Sequence, residues 1–370
     1  MTFSRRHLLR GTALALAFPG AAAFSAEPPA TVNDELRRSA RDARLAMKID
    51  PSSMNSRQLR LWQRQFRQLL GRLLGNYRPP TSWTVTVEDV TRLDDHTRHQ
   101  LLLSASGHPS LPVYLLVPHR RQDQPGPGIL ALHGHGEFGY ETVAGRDDLP
   151  GVAEAIQKAN YDYGRQLVSE GFVVCAPCMT PFGRRVDRDA YGGQDPCAVT
   201  FVRMQLLGRV LMGENVRDCL WGYQLLRQHA RVDASRIGCV GLSYGGRMTM
   251  LTSAMEPGIR CAVVSGALNV MQERVMGRYS CGGQVIPGLL RYGDVPEIGS
   301  LIAPRACVWE TGSEDGLIVK PWADEAFARM EQFYRGLGAA DRLERDQFEG
   351  GHRWNGELGL PMLNRELSRS

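Results

Sequence analysis

Between Thr31 and about Leu74, apolar residues recur mostly at three- and four-residue steps among arginines and glutamines: Leu36, Ala40 and Leu45, then Leu59, Trp62, Phe66, Leu69 and Leu73. That spacing places them on one face of a helix and predicts two amphipathic helices. Gly75 to Ser82, which contains Pro79-Pro80, ends the helical pattern. Residues 83–87, 99–105 and 111–117 then read as strands separated by turn residues, an antiparallel opening to a sheet. From residue 129 the pattern changes again. Short apolar runs without polar alternation predict buried strands at 129–132, 172–176, 237–240, 261–264, 307–310 and 343–348, with helices at 161–170, 216–228, 246–255 and 323–336.

Strands apolar on both faces and interleaved with helices mean a parallel sheet covered on both sides. With the antiparallel start, the plan is α/β, specifically that of the α/β-hydrolase fold: a mostly parallel central sheet, antiparallel N-terminal strands and helices on both faces. The expected organisation is a leader at 1–26, a helical extension at 27–80 and one catalytic domain at 81–370. There is no internal repeat and no low-complexity tract. The 370 residues, 43% of them apolar, suffice for a large core.

Charge changes the picture little. The formal net charge is +5, but Arg5, Arg6 and Arg10 lie in the expected leader, leaving about +2 on the mature chain. Lysine occurs only at Lys48, Lys158 and Lys320, and the arginines are scattered among carboxylates, so no nucleic-acid partner is expected. Ser4-Arg5-Arg6-His7-Leu8-Leu9 is a twin-arginine pattern. The apolar stretch after it, Gly11 to Phe24, has a core of about 13 residues, short of the roughly 20 needed to span a bilayer. Small residues around Ala23 and Ser25 suit cleavage near Ala26. The expectation is export by the twin-arginine machinery to the periplasm or beyond, without a stable membrane anchor. The eight cysteines allow disulfides in such a compartment, but a chain of this length does not need them. Cys239, Cys261 and Cys307 sit in apolar runs as small hydrophobes, and Cys175-x-x-Cys178 has no second pair at zinc-site spacing.

The chemistry concentrates in three places. Gly241-Leu242-Ser243-Tyr244-Gly245 fits G-x-S-x-G between a buried strand and a helix, the setting in which a serine is held at a sharp turn as a nucleophile. A serine hydroxyl needs a base, and the base an orienting carboxylate, in the chain order Ser, acid, His. Only His352 follows Ser243, in Glu349-Gly350-Gly351-His352. Asp315, in the turn after the strand at 307–310, is the preferred acid, with Glu314 and Glu310 as alternatives. An oxyanion hole requires two backbone N–H donors. Tyr244 supplies one, and the loop His133-Gly134-His135-Gly136 the other, with His135 favoured over Gly136.

Leu132 to Gly136, Gly241 to Gly246, Ile286-Pro287-Gly288-Leu289-Leu290-Arg291-Tyr292-Gly293-Asp294 and Phe348 to Trp354 together resemble bacterial α/β-hydrolases of the acetyl-xylan-esterase-like group, related to dienelactone hydrolases. The resemblance implies Ser243, Asp315 and His352 in the roles derived above. Dienelactone hydrolases proper use a cysteine nucleophile, so their substrate is not implied. The expected activity is hydrolysis of carboxylic esters, acetyl or other short-acyl esters of carbohydrates among them, without a cofactor. Competing readings are a prolyl-oligopeptidase-type peptidase, a non-catalytic binding protein on the same scaffold, and a metal-dependent enzyme using His133 and His135, for which the sequence spacing offers no third ligand. Arg184, Arg185, Arg188 and Tyr191 in the segment 181–193, and the loop 278–287, are expected to overhang the pocket.

Overall fold

The computed structural model describes residues 30–119, 124–187, 189–278 and 280–368; the expected leader lies outside them. Nine strands form one sheet in the order β1-β2-β3-β5-β4-β6-β7-β8-β9. Its members are β1 (Thr84–Arg92), β2 (His96–Ser104), β3 (Leu111–Pro118), β4 (Gly126–Leu132), β5 (Val173–Pro177), β6 (Val232–Leu242), β7 (Cys261–Ser265), β8 (Ala306–Gly312) and β9 (Leu343–Phe348). β1, β2, β3 and β5 pair antiparallel in succession, and every pairing from β5 through β4 to β9 is parallel. The antiparallel opening and parallel continuation follow the hydrophobic pattern.

Alternation along the strands divides the core in two. Leu130 and Leu132 of β4, Ala262 and Val264 of β7, and Cys307 and Trp309 of β8 face one layer. Ile129, Ala131, Cys261, Val263, Ala306 and Val308 face the other. Burial on both sides is what a parallel sheet requires, and it accounts for the unbroken apolar runs.

The first layer also takes in the N-terminal helix Ser56–Leu74. Asn55 and Gln58 close its start with a reciprocal capping box, and Leu59, Trp62, Phe66, Leu69, Leu70 and Leu74 are buried along its inner face. Trp62 stacks on Phe66, with ring centroids 5.1 Å apart, and meets Phe333 of the helix Lys320–Gly336. The earlier helix, Val32–Arg41, departs from expectation: it buries only Ala40, and Leu36 is 51% exposed. The helix after the G-x-S-x-G segment begins at Tyr244 rather than residue 246, because the turn is completed by Ser243 alone.

Candidate active site

β6 ends at Leu242 and the helix Tyr244–Met255 begins two residues later, so Ser243 carries the whole reversal. Its φ of +63° is a conformation that residues other than glycine seldom adopt. The Ser243 N–H donates to the Ser265 carbonyl of β7 at 2.9 Å, fixing the turn to the neighbouring strand. The flanking glycines are steric necessities. A Cβ at Gly245 would lie 1.9 Å from the Leu132 carbonyl oxygen, one at Gly241 2.6 Å from it, and one at Gly246 2.2 Å from the Ser265 oxygen.

His352 stands on the loop after β9, and its Nδ1 is 2.7 Å from Oδ2 of Asp315. Asp315 is buried, and its other oxygen accepts the Leu317 N–H at 2.9 Å. His352 Nε2 is buried without a hydrogen-bond partner. Gly266, with φ +59°, makes room for the ring next to the Ser243 turn: a Cβ there would lie 2.7 Å from His352 Cε1 and 3.0 Å from Leu242 Cδ1. The two other carboxylates considered from the sequence stand elsewhere. Glu314 is exposed. Glu310 is fully buried and accepts the N–H groups of Gly356, at 2.9 Å, and Asn355, at 3.4 Å, bracing the chain just past His352. Burial pushes its carboxyl up to about 7.

Of the two expected oxyanion positions, neither Tyr244 nor His135 donates its backbone N–H to a protein acceptor among the described residues. The Tyr244 side chain points away into the core, its hydroxyl accepting from Asn215 Nδ2 at 2.7 Å. His133 is fully buried: its Nδ1–H donates to the Gly134 carbonyl at 2.8 Å and its Nε2 accepts the Met179 N–H at 2.8 Å. Burial lowers it to about 4, and with both nitrogens engaged the neutral ring ties the end of β4 to the segment after β5. It is therefore unsuited to the metal pairing with His135 that the spacing suggests. His135 instead lies 3.3 Å from the Cys197 sulfur, with Cys281 beside both.

A cavity of about 170 Å³ lined by His135, Phe182, Val186, Asp195 and Cys197 opens beside the His135 loop. A larger apolar cavity of about 720 Å³, between Leu36 and Ala40 on one side and Met271 to Leu290 on the other, includes none of Ser243, Asp315 and His352. The arginines expected over the pocket are internally paired: Arg184 with Glu88 of β1, and Arg185 with Asp218 and the Cys178 carbonyl. Arg188 lies outside the described residues. Sequence reasoning missed Asp294, which is buried at the end of the Ile286–Asp294 motif. It accepts the N–H groups of Met271 at 2.8 Å, Gln272 at 2.8 Å and Val295 at 2.7 Å, capping two short helices at once. It also missed Arg247, buried one turn past Ser243, which bonds Asn269 and Gln284 and pins two loops on that side. Asp294 opens a local capping box with Glu297, but its bonds to Met271 and Gln272 reach back 23 and 22 residues; no local pattern marks Arg247, whose partners Asn269 and Gln284 are 22 and 37 residues away.

Residues 207–278 match the model of the prolyl oligopeptidase family. A protein of Bacillus subtilis (strain 168) named "Putative hydrolase YtaP" is 28% identical over 300 residues, spanning 77% of this chain and 92% of its own. Among solved structures, a "putative acetyl xylan esterase" from Bacteroides fragilis NCTC 9343 superposes with a TM-score of 0.73 at 17% identity, over 86% of this chain and 82% of its own. A glucuronoyl esterase from Solibacter usitatus gives 0.61 at 14% identity, over 87% of this chain and 96% of its own. With its sheet order, its strand-turn-helix at Ser243 and these neighbours, the chain is an α/β-hydrolase by fold, similar to acetyl xylan and glucuronoyl esterases.

Proposed function

We propose that this protein is an exported serine hydrolase of carboxylic esters, acting on acetyl or other short-acyl esters of carbohydrates. The observation that carries the reading is His352: its Nδ1 is engaged by buried Asp315, while its Nε2 is free to take a proton beside the turn that presents Ser243. In the proposed reaction, Nε2 accepts the Ser243 proton as Oγ attacks the ester carbonyl. Asp315 holds the imidazolium, and the Tyr244 and His135 N–H groups receive the oxyanion. His352 then returns the proton to the leaving alcohol as the C–O bond breaks. Water, deprotonated by the same ring, attacks the acyl carbonyl, and the C–Oγ bond breaks as His352 returns that proton to Ser243 Oγ, which releases the acid and restores the enzyme.

The carbohydrate ester class is supported by the names of the structural neighbours, and export by the twin-arginine pattern. Among the described residues, no helix is long and apolar enough to cross a membrane. The test is a hydrolysis profile over acyl chain length with simple and carbohydrate alcohols, including acetylated xylo-oligosaccharides and a methyl glucuronate, for the parent and Ser243→Ala. Turnover should favour short acyl groups and fall by about 10⁴-fold or more in the variant. Retained turnover in the variant refutes the assignment of Ser243.

The family match at 207–278 favours one second reading, a peptidase. Short proline-containing peptides in the same panel separate the two: cleavage of peptides faster than esters would replace the ester reading.

A further inference from the structure

His135, Cys197 and Cys281 come from three separate connections, yet their ligand atoms all lie within 4.8 Å of one another. His135 follows β4, Cys197 is in the first turn of the helix Pro196–Leu206, and Cys281 precedes the 3-10 turn Gly282–Gln284. We propose that the three form a zinc site. A tetrahedral Zn²⁺ with bonds of about 2.3 Å to sulfur and about 2.0 Å to nitrogen sets its donors roughly 3.5–3.8 Å apart. The 3.3 Å between His135 Nε2 and Cys197 Sγ needs only a few tenths of an ångström of opening to fit. Two thiolates and one imidazole suit a borderline-soft d¹⁰ cation and disfavour Mg²⁺ or Ca²⁺.

The surroundings fit the assignment. Both cysteines are buried, at 2% exposure for Cys197 and 9% for Cys281, while His135 is exposed and borders the 170 Å³ cavity, which gives the ion an entry path and leaves a fourth position for water. The Phe182 ring and the imidazole meet at a steep angle, with centroids 5.2 Å apart and planes at 71°, and the Gly283 N–H donates to Cys281 Sγ at 3.3 Å, a bond that orients a thiolate ligand. Binding releases the protons of the two thiols to solvent, so the cation and two thiolates leave the cluster neutral. The ion would cross-link the loop carrying His135 to the helix start at Cys197, which lines the cavity, and to the turn at Cys281. The site uses the His135 side chain, whereas the ester reading uses that residue's backbone N–H; it shares no residue with Ser243, Asp315 and His352, so metal binding is tested apart from turnover.

The test uses the full chain, fully reduced with a phosphine and freed of metal. Titration with Zn²⁺ against a chromophoric chelator should show one equivalent bound, and Co²⁺ should bring up a thiolate-to-metal charge-transfer band. Cys197→Ser and Cys281→Ser should each weaken binding by at least about 100-fold and lose that band. Ser243→Ala should bind as the parent does, which separates this result from the esterase assay. Absence of stoichiometric binding in the reduced, folded chain, or binding unchanged in both cysteine variants, overturns the proposal. Isolation of the chain with a Cys197–Cys281 disulfide whose reduction restores no metal binding also overturns it.

Discussion

At the residue scale the molecule spends stability to hold one side chain. Ser243 at φ +63° carries strain on the order of 1–3 kcal/mol, which its neighbours enforce. Serine and alanine share the Cβ that makes this conformation costly; glycine lacks it. Thermal unfolding should therefore show Ser243→Ala close to the parent and Ser243→Gly more stable by up to about 1–2 kcal/mol, after the larger entropy of the unfolded glycine chain is subtracted. Both variants should be inactive. An equal gain in the two would mean that the strain does not reside in the backbone. The choice of acid is separable in the same way: Asp315→Asn should lower kcat by about 10⁴-fold, whereas exposed Glu314→Gln should change it by no more than about twofold.

At this scale the sequence spoke clearly where chemistry is local. The pentapeptide and the solitary downstream histidine could be read from the letters. Asp315 could be preferred but not separated from Glu310, because what divides them is direction: one carboxylate faces the imidazole, and the other turns to Asn355 and Gly356. The partners of His135 were invisible for a related reason. Cys197 and Cys281 each resemble an ordinary buried hydrophobe until the fold brings them together.

At the scale of elements, the strands were legible because a two-sided sheet writes itself as apolar runs, and their ends were not. β6 begins at Val232, through the polar stretch Asp233 to Arg236, and β4 begins at Gly126, where glycine and proline mask a strand. The helices Val152–Ala159 and Pro196–Leu206 were missed, the second having only Cys197 and Thr200 buried, too few to print a periodic stripe. Position 266 was also silent, since a glycine after a strand is commonplace, yet the loop there must pass against the His352 ring. Gly266→Ala adds a Cβ 2.7 Å from His352 Cε1 at a positive φ. The ring can yield where backbone cannot, so the variant should fold and lose roughly 10²-fold in kcat through displacement of the proposed base. Gly316→Ala, whose Cβ meets nothing within 4 Å, is the control and should keep its rate. A Gly266→Ala enzyme with the parent kcat would place the working position of His352 elsewhere.

At the scale of the whole molecule, burial of one carboxyl links stability to pH. Glu310 moves from 4.5 to about 7 on folding, so the unfolded chain ionises first as pH rises. Its contribution to stability is complete below about 4.5 and is lost as pH climbs through about 7. Glu310→Gln imitates the protonated form at every pH. The Tm of the variant should match the parent below about pH 4.5, exceed it increasingly up to about pH 7 and keep a level excess above that, and a constant offset across the whole range would show that the carboxyl does not titrate in this window.

The same scale decides whether the N-terminal helices form an extension or part of the body. Hydrophobic pattern alone sets a boundary at residue 80, because helical periodicity stops there and strand periodicity begins. Packing ignores that boundary. Phe66 and Leu70 are fully buried in the layer that contains Trp309 and Phe333, and Gln63 donates from within that layer to the Ser300 and Ala303 carbonyls, at 2.9 and 2.8 Å. Arg67 reaches the Ala254 carbonyl at 2.7 Å, at the far end of the helix that starts behind Ser243. A chain beginning at residue 81 would expose that apolar face and strip partners from buried carbonyls. It should fail to give a cooperative thermal transition, and Phe66→Ala in the full chain should cost about 3–5 kcal/mol. A soluble, cooperatively folding fragment 81–370 would restore the boundary that the sequence pattern suggests and make the helices an appendage.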